Sequence, residues 1–351
     1  MKRLLCILVA SALLTATARF APPDTLDIYF IDVEGGQSTL LITPAGESLL
    51  IDAGFPGTGT FQSRPGETLS PRDPERVSAV ARSAGLSRID DLLITHFHGD
   101  HFGGVMELAQ RLPIGTFIDH GDVAAETEQT VAGTLALFQD YQAVRAKGRH
   151  LDPAPGDHLP LQGLDVVVVS AAGATIAQPL AGGGAANARC GTTARAAQEP
   201  YENPRSTGVV VELGKFRFLD VGDLSGQPLF DLACPRDLVG PVDVYLVAHH
   251  GGADAADPAT LAAFKPRAAV LDNGARKGAG PEMLATLHDA AGIDTWQLHR
   301  SVLDGARNFP DDRLANLDET TAHWIKVSAK SDGSFRVTNG RTGQSVSYGP
   351  R

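Results

Sequence analysis

Thr95-His96-Phe97-His98-Gly99-Asp100-His101 is the stretch that decides the fold. It directly follows the apolar run Leu92-Leu93-Ile94 and leads into Gly103-Gly104. Three imidazoles and a carboxylate within six residues are four ligands of the borderline kind that suits Zn²⁺, Mn²⁺ or Fe²⁺. On a loop leaving a strand, His96 and His98 can face one side. Asp100 and His101, at the turn into a helix, can face a second position. That spacing suits two metals a few ångströms apart.

Working outward, strand signals lie upstream over 26–31, 38–43 and 48–52, the last two joined by the turn Pro44-Ala45-Gly46. A helix starts near Pro74, carries Val77, Val80, Ala81 and Ala84 at helical spacing, and stops at Gly85. A buried strand is expected over 91–95, a helix over 105–112, a strand over 114–118 and one long helix over 126–147. The second half repeats this rhythm. It has an apolar strand over 165–169, an Ala- and Gly-rich loop over 171–200, and a hairpin of 208–213 and 215–220 around Gly214. A loop of that length in a compact chain usually acts as a lid or binding loop. A strand over 243–248, a helix over 258–264, a strand over 268–271 and a helix over 281–290 follow. The end, 322–351, reads as a hairpin and tail turning at Ser331-Asp332-Gly333. Strands followed by strand–helix units, twice over, predict an α/β fold. Two sheets packed face to face with helices outside bury all these runs, a four-layer αββα sandwich. No linker divides residues 19–351, so they are expected to form one domain.

Composition narrows the function. With 43% apolar and 20% charged residues, the 351-residue chain has ordinary globular content. Its net charge of −11 gives no basic face for nucleic acid, so no stable nucleic-acid complex is expected. If phosphates are handled, the positive charge must be local, such as a metal. Lys2 and Arg3, an apolar run over 4–14 and Ala16-Thr17-Ala18 read as a signal peptide over 1–18. The run is too short for a membrane span, so the expectation is a periplasmic or secreted protein with no span after signal removal. Cys190 and Cys234 then remain. In an exported chain they form either one disulfide or two separate buried thiols, and the sequence leaves both open.

The THFHGDH motif resembles the metal-binding signature of the metallo-β-lactamase-fold hydrolases. Leu50-Ile51-Asp52-Ala53-Gly54, Val221-Gly222-Asp223 and Val247-Ala248-His249-His250-Gly251-Gly252 resemble further stations of that family, in order. A narrower resemblance, to the ComEC-like branch, rests on four stretches. They are Phe30-Ile31-Asp32-Val33-Glu34-Gly35-Gly36, Asn203-Pro204-Arg205-Ser206, Gly222-Asp223 and the doubled His249-His250-Gly251. The chain departs from that branch by carrying Glu34 in the early turn.

The resemblance implies a metallo-β-lactamase-like sandwich holding two divalent metal ions, Zn or Mn. The implied ligands are His96, His98, Asp100, His101, Asp223 and His249, with His250 the other candidate of the doublet. Asp52 would support the site from behind, and Asp223 would bridge the metals, since a shared anion lowers the repulsion between two dications. Read singly, Asp52 is equally a turn residue and Asp223 a helix N-cap. A metal-bound hydroxide would attack, oriented by Asp100 or Asp223. His250, Lys277 or His299 would serve the leaving group, although Lys277 also reads as a solvated turn lysine. His120, His150, His158, His288 and His323 read as structural or exposed. Asn203 stands where many superfamily members place a third histidine of the first metal site. With Asn203 or water completing it, that site is expected to be the weaker one and to admit Mn²⁺.

The expected function is an exported phosphodiesterase or nuclease acting on a small-molecule or phosphoester substrate. The alternatives are a lactonase or β-lactamase-type hydrolase of cyclic esters or amides, and a non-catalytic metal-binding protein.

Overall fold

The structure is a computed structural model that describes residues 24–56, 72–191 and 200–351. The signal segment 1–18 and part of the loop 171–200 lie outside the described residues. The described strands fall into two sheets. The first runs in the order Ser345–Tyr348, Phe335–Asn339, Ile325–Lys330, Thr25–Phe30, Thr39–Ile42, Ser48–Ile51, Ile89–Leu93, Ile114–Ile118 and Arg149–Leu151. The second runs Leu314–Asn316, Asp294–His299, Ala268–Leu271, Val244–Leu246, Phe216–Asp220, Gly208–Leu213, Asp165–Ala171 and His158–Leu159. Ala174–Thr175 pairs beside Asp165–Ala171. Each sheet is antiparallel on one side and parallel on the other. Ser48–Ile51 to Arg149–Leu151 are parallel in the first, and Phe216–Asp220 to Leu314–Asn316 in the second.

Burial explains the sandwich. Thr25–Phe30 alternates, sending Leu26, Ile28 and Phe30 inward against Val209, Val211, Phe218 and Trp296 of the other sheet. Phe30 meets Phe218 edge to face with centroids 5.7 Å apart. The outer face of the first sheet carries Leu40, Leu50 and Leu92 beneath Val77, Ala81, Leu108 and Tyr141 of the helices Arg72–Ser83, Val105–Arg111 and Thr134–Arg145. The second sheet buries Val210, Leu219, Tyr245 and Leu271 beneath Leu229, Phe264 and Leu287 of Gly226–Ala233, Pro258–Phe264 and Pro281–Asp289. Strands covered on both faces need apolar residues at successive positions, as in Val166-Val167-Val168-Val169. The parallel strands all end at one edge, the place where open α/β sheets present their loops to ligands.

One expectation is corrected, and two strands lie where none was expected. The helix expected over 126–147 is broken into Thr127–Thr130 and Thr134–Arg145. Gly133 adopts φ 89°, and the Glu128 carboxylate accepts the N–H groups of Gly133 and Leu135, which a continuous helix would give to its own carbonyls. Strands Asp294–His299 and Leu314–Asn316 escape the apolar pattern because they bury polar side chains. Gln297 bonds Asn308 and the Phe309 N–H, and Asn316 donates to the carbonyls of Leu298 and His323. The described part of the loop 171–200 packs on the helix layer of the second sheet. Leu180 donates to the Leu238 carbonyl, and Asn187 to those of Ala233 and Ala259. Cys190 and Cys234 form a disulfide there, with Cα atoms 5.7 Å apart. Among the described residues no helix is long and apolar enough to cross a membrane.

Candidate metal centre

The sequence-predicted site residues follow the carboxyl ends of strands, except Asn203, which lies in the turn before Gly208–Leu213. Asp52 follows Ser48–Ile51, and its carboxylate takes the Thr95 N–H at 2.8 Å and the Thr95 hydroxyl at 2.7 Å. This ties the loop of His96 to the neighbouring strand end. Gly222, at φ 55°, passes so close that a Cβ there would stand 2.6 Å from Thr95 Cβ. Glycine therefore lets Asp223 reach the histidine loop from the opposite sheet.

Two groups of ligand atoms result, and Asp223 belongs to both. His96, His98 and Asp223 form one; Asp100, His101, Asp223 and His250 form the other. Asp223 Oδ2 lies 3.8 Å from His96 Nε2 and 3.2 Å from His101 Nε2, while Oδ1 lies 3.3 Å from His250 Nε2. Asp100 Oδ2 lies 3.5 Å from His101 Nε2 and 3.4 Å from His250 Nε2. Although these atoms converge, His101 Nε2, His250 Nε2 and Asp223 Oδ1 are buried without a hydrogen bond. Buried polar atoms aimed at a common point without bonding each other fit divalent cations placed among them.

Electrostatics divides the donor set. Burial, with His101 and His98 alongside, holds the His96 imidazole well below its ordinary pKa. Burial pushes the Asp100 carboxyl up, but Lys277 and His101 overcome it and hold it well below the usual carboxylate range. Asp223 behaves likewise, burial being outweighed by His101, His250 and His249. Burial pushes the His101 and His250 imidazoles down, but Asp223 and the neighbouring carboxylates overcome it, holding His101 well above its ordinary pKa and His250 at about 10. Neutral imidazole and ionised carboxylate are the forms that ligate metal, so these two rings would release a proton on binding one.

Carboxylates stand behind three of the rings. Asp52 Oδ2 is 2.7 Å from His101 Nδ1, Asp272 Oδ2 is 3.3 Å from His250 Nδ1, and Asp254 Oδ1 is 2.8 Å from His249 Nδ1. Such pairs fix which ring nitrogen faces a site. Glu202 supports the loop differently: its carboxylate accepts the N–H of Phe97, between His96 and His98, and faces His120 Nε2 at 3.1 Å.

The doublet divides unlike the reading in which His249 takes the ligand role. His250, 1% exposed, is the one that enters the four-residue group. His249 has a 26% exposed side chain and lies 3.6 Å from Asp223 Oδ2 at the rim, beside Asn203 Nδ2 at 3.5 Å. Both histidines take left-handed backbone, φ 50° and 52°, which sends consecutive rings toward opposite oxygens of one carboxylate. Asn203 is buried beside the rim histidine His249. The Lys277 ammonium pairs with Asp100 Oδ2 and donates to the Gly35 carbonyl. His299 is not at the centre; its Nε2 lies 2.8 Å from Asp32 Oδ1. His120, His150 and His158 are paired with Glu202, Asp119 and Asp165.

Sequence reading missed Asp272, Asp254 and Glu202. A signal for the first was present: Ile51-Asp52, Leu219-Asp220 and Leu271-Asp272 each end an apolar strand on an aspartate. Asp254 and Glu202 lie in turns, where nothing local marks them.

Residues 32–183 match the family model of the metallo-β-lactamase superfamily. No curated protein sequence matches the chain. Among solved structures, the chain is similar to the metallo-β-lactamase fold protein YhfI from Bacillus subtilis, with TM-score 0.44 and 11% identity over 78% of this chain and 96% of that one. It is similar to a diphosphatase from the PhnP family, with TM-score 0.40 and 12% identity over 77% and 94%. It is also similar to CmlA, a diiron β-hydroxylase from Streptomyces venezuelae, with TM-score 0.40 and 14% identity over 77% and 53%, so it spans about half the length of that protein. These likenesses transfer no property to this chain. The matched segment carries His96 to His101, and with two facing sheets between helix layers the chain has a metallo-β-lactamase-like fold.

Proposed function

We propose that the protein is an exported ComEC-like hydrolase that uses two divalent metal ions, zinc or manganese, to cleave phosphodiester bonds. The observation that carries this reading is the pair of ligand groups sharing Asp223, with the Lys277 ammonium at their edge. Bound divalent cations would supply a water acidified toward neutral pH and would polarise a substrate oxygen. The chain's own residues do the rest. Asp223 turns Oδ2 toward both His96 and His101 and Oδ1 toward His250, so its single carboxylate would be shared by the two groups. Asp52, Asp272 and Asp254 hold their imidazoles in orientation. Lys277, with a 42% exposed side chain, offers a positive charge to an anionic substrate at the rim of an otherwise acidic protein. A lactone or β-lactam has no need of that charge beside the metals.

The test is a comparison of kcat/KM for metal-loaded protein on bis(p-nitrophenyl) phosphate, a phosphomonoester, a lactone and a chromogenic β-lactam. Phosphodiester turnover should lead. A lactone or β-lactam turned over faster than every phosphodiester would overturn the substrate assignment. Export rests on residues 1–18, and cell fractionation with and without them tests it.

A further inference from the structure

Lys277 reaches the centre from a turn that leaves it little freedom. The Gly274 N–H donates to the Lys277 carbonyl at 2.9 Å, and the Ala279 N–H to the His250 carbonyl at 2.8 Å. Gly278, at φ 73°, is packed so closely that a Cβ would stand 2.4 Å from the His250 carbonyl oxygen. At the other end of the side chain, Nζ donates to the Gly35 carbonyl at 2.7 Å and lies 5.7 Å from the centroid of the Phe55 ring. Its remaining neighbour is Asp100 Oδ2. That is the oxygen that faces His101 Nε2 at 3.5 Å and His250 Nε2 at 3.4 Å. A cation entering the four-residue group and the ammonium therefore claim the same oxygen.

We infer that Lys277 is the resident cation of the Asp100–His101–Asp223–His250 site, and that it sets how tightly this site takes its metal. The inference rests on reading the two groups as metal sites. Counting ligands alone makes this the tighter site, with four protein groups against three. The count leaves out the ammonium. While Lys277 neutralises Asp100, the largely buried carboxylate is already compensated, and an incoming dication must displace one charge and approach another. The released ammonium remains tethered at Gly35, beside the position an anionic substrate would take. Metal loading and substrate attraction are thus coupled through one side chain, and the protein runs with this site partly filled when metal is scarce.

The experiment is calorimetric titration of chelator-stripped full-length protein with Zn²⁺ and Mn²⁺, with elemental analysis after dialysis. It compares wild type, Lys277→Met and Lys277→Arg. Lys277→Met should tighten one binding step by about tenfold or more, the scale on which a neighbouring charge shifts a carboxylate. Lys277→Arg should stay near wild type. The gain should persist in a His98→Ala background and vanish with His250→Ala, and the Co²⁺ absorption spectrum of each variant assigns the step to its site. Unchanged or weaker binding in Lys277→Met overturns the inference while leaving the metal centre intact. Failure of wild type and variant alike to bind any metal overturns the centre itself and the inference with it.

Discussion

Two buried clusters of carboxylate and imidazole sit close together, and they are compensated differently. In one, Asp32, Glu34 and His299 converge as ligand atoms would. Arg76 reaches Asp32 at 2.9 Å and Glu34 at 3.1 Å, and Arg72 stands 3.4 Å from Glu34. Guanidinium keeps its charge at any physiological pH and cannot be exchanged for an ion. That cluster is closed. In the other, Asp100 and Asp223 face four imidazoles and one lysine, and several atoms are left without hydrogen bonds. Imidazole becomes a ligand when it loses its proton, so this cluster accepts a cation from outside. Proximity of acids and histidines does not by itself make a metal site; what distinguishes this cluster is that its one fixed cation among the described residues, Lys277, leaves Asp223 and the imidazoles uncompensated.

The largest effect expected from breaking this contrast is at Asp223. Asp223→Asn removes the oxygen shared by both groups, so both metals should be lost and activity should fall about a hundredfold or more. Elemental analysis decides it: a variant retaining two metals per chain would show that the groups do not share a ligand. In the closed cluster, Arg76→Met leaves buried charge unpaired and should cost about 3–5 kcal/mol in urea denaturation, with metal content unchanged. Loss of metal without loss of stability there would reverse the roles of the clusters. Asp272→Asn should weaken metal binding about 10–100-fold by freeing the His250 ring, without unfolding the protein; calorimetry reads this directly.

The smallest effect concerns pH. Burial and Asp32 push the Glu34 carboxyl up to about 7, against the pull of Arg72 and Arg76. The folded state thus holds this proton more tightly than the unfolded chain does. The stability it contributes is full below the unfolded value near 4.5 and is lost as pH rises toward 7. Wild-type stability should decline across that window by about 1 kcal/mol per pH unit or less, and Glu34→Gln should flatten the decline. Identical pH profiles would show that Glu34 stays ionised throughout.

Much of this was legible in the sequence because it is local. The spacing of His96, His98, Asp100 and His101 is a property of one loop, and strand–aspartate junctions such as Ile51-Asp52 mark where a parallel strand stops. Choices set by tertiary direction were not legible. His249 and His250 are identical neighbours, and only left-handed backbone and the positions of Asp254 and Asp272 separate rim from interior. His299 read as a site candidate because nothing in Trp296-Gln297-Leu298-His299 reveals Asp32 opposite it, 267 residues away. Strands Asp294–His299 and Leu314–Asn316 were hidden because buried amides satisfied by backbone look, in sequence, like surface.

The first sheet is closed by the last part of the chain. Ile325–Lys330 pairs along the whole of Thr25–Phe30, and Ser328 bonds Asp27 across 301 residues. Until those residues have left the ribosome, Thr25–Phe30 is a bare edge with an unsatisfied ladder, the kind of surface that recruits other chains. Assembly of this sheet therefore waits for residues 325–330 and is slow for its size, since a separation of about 300 residues must close before Thr25–Phe30 is covered. A chain cut short before residue 325 would lack no ligand of the metal centre, yet it would leave that edge open and be prone to stick to its own copies.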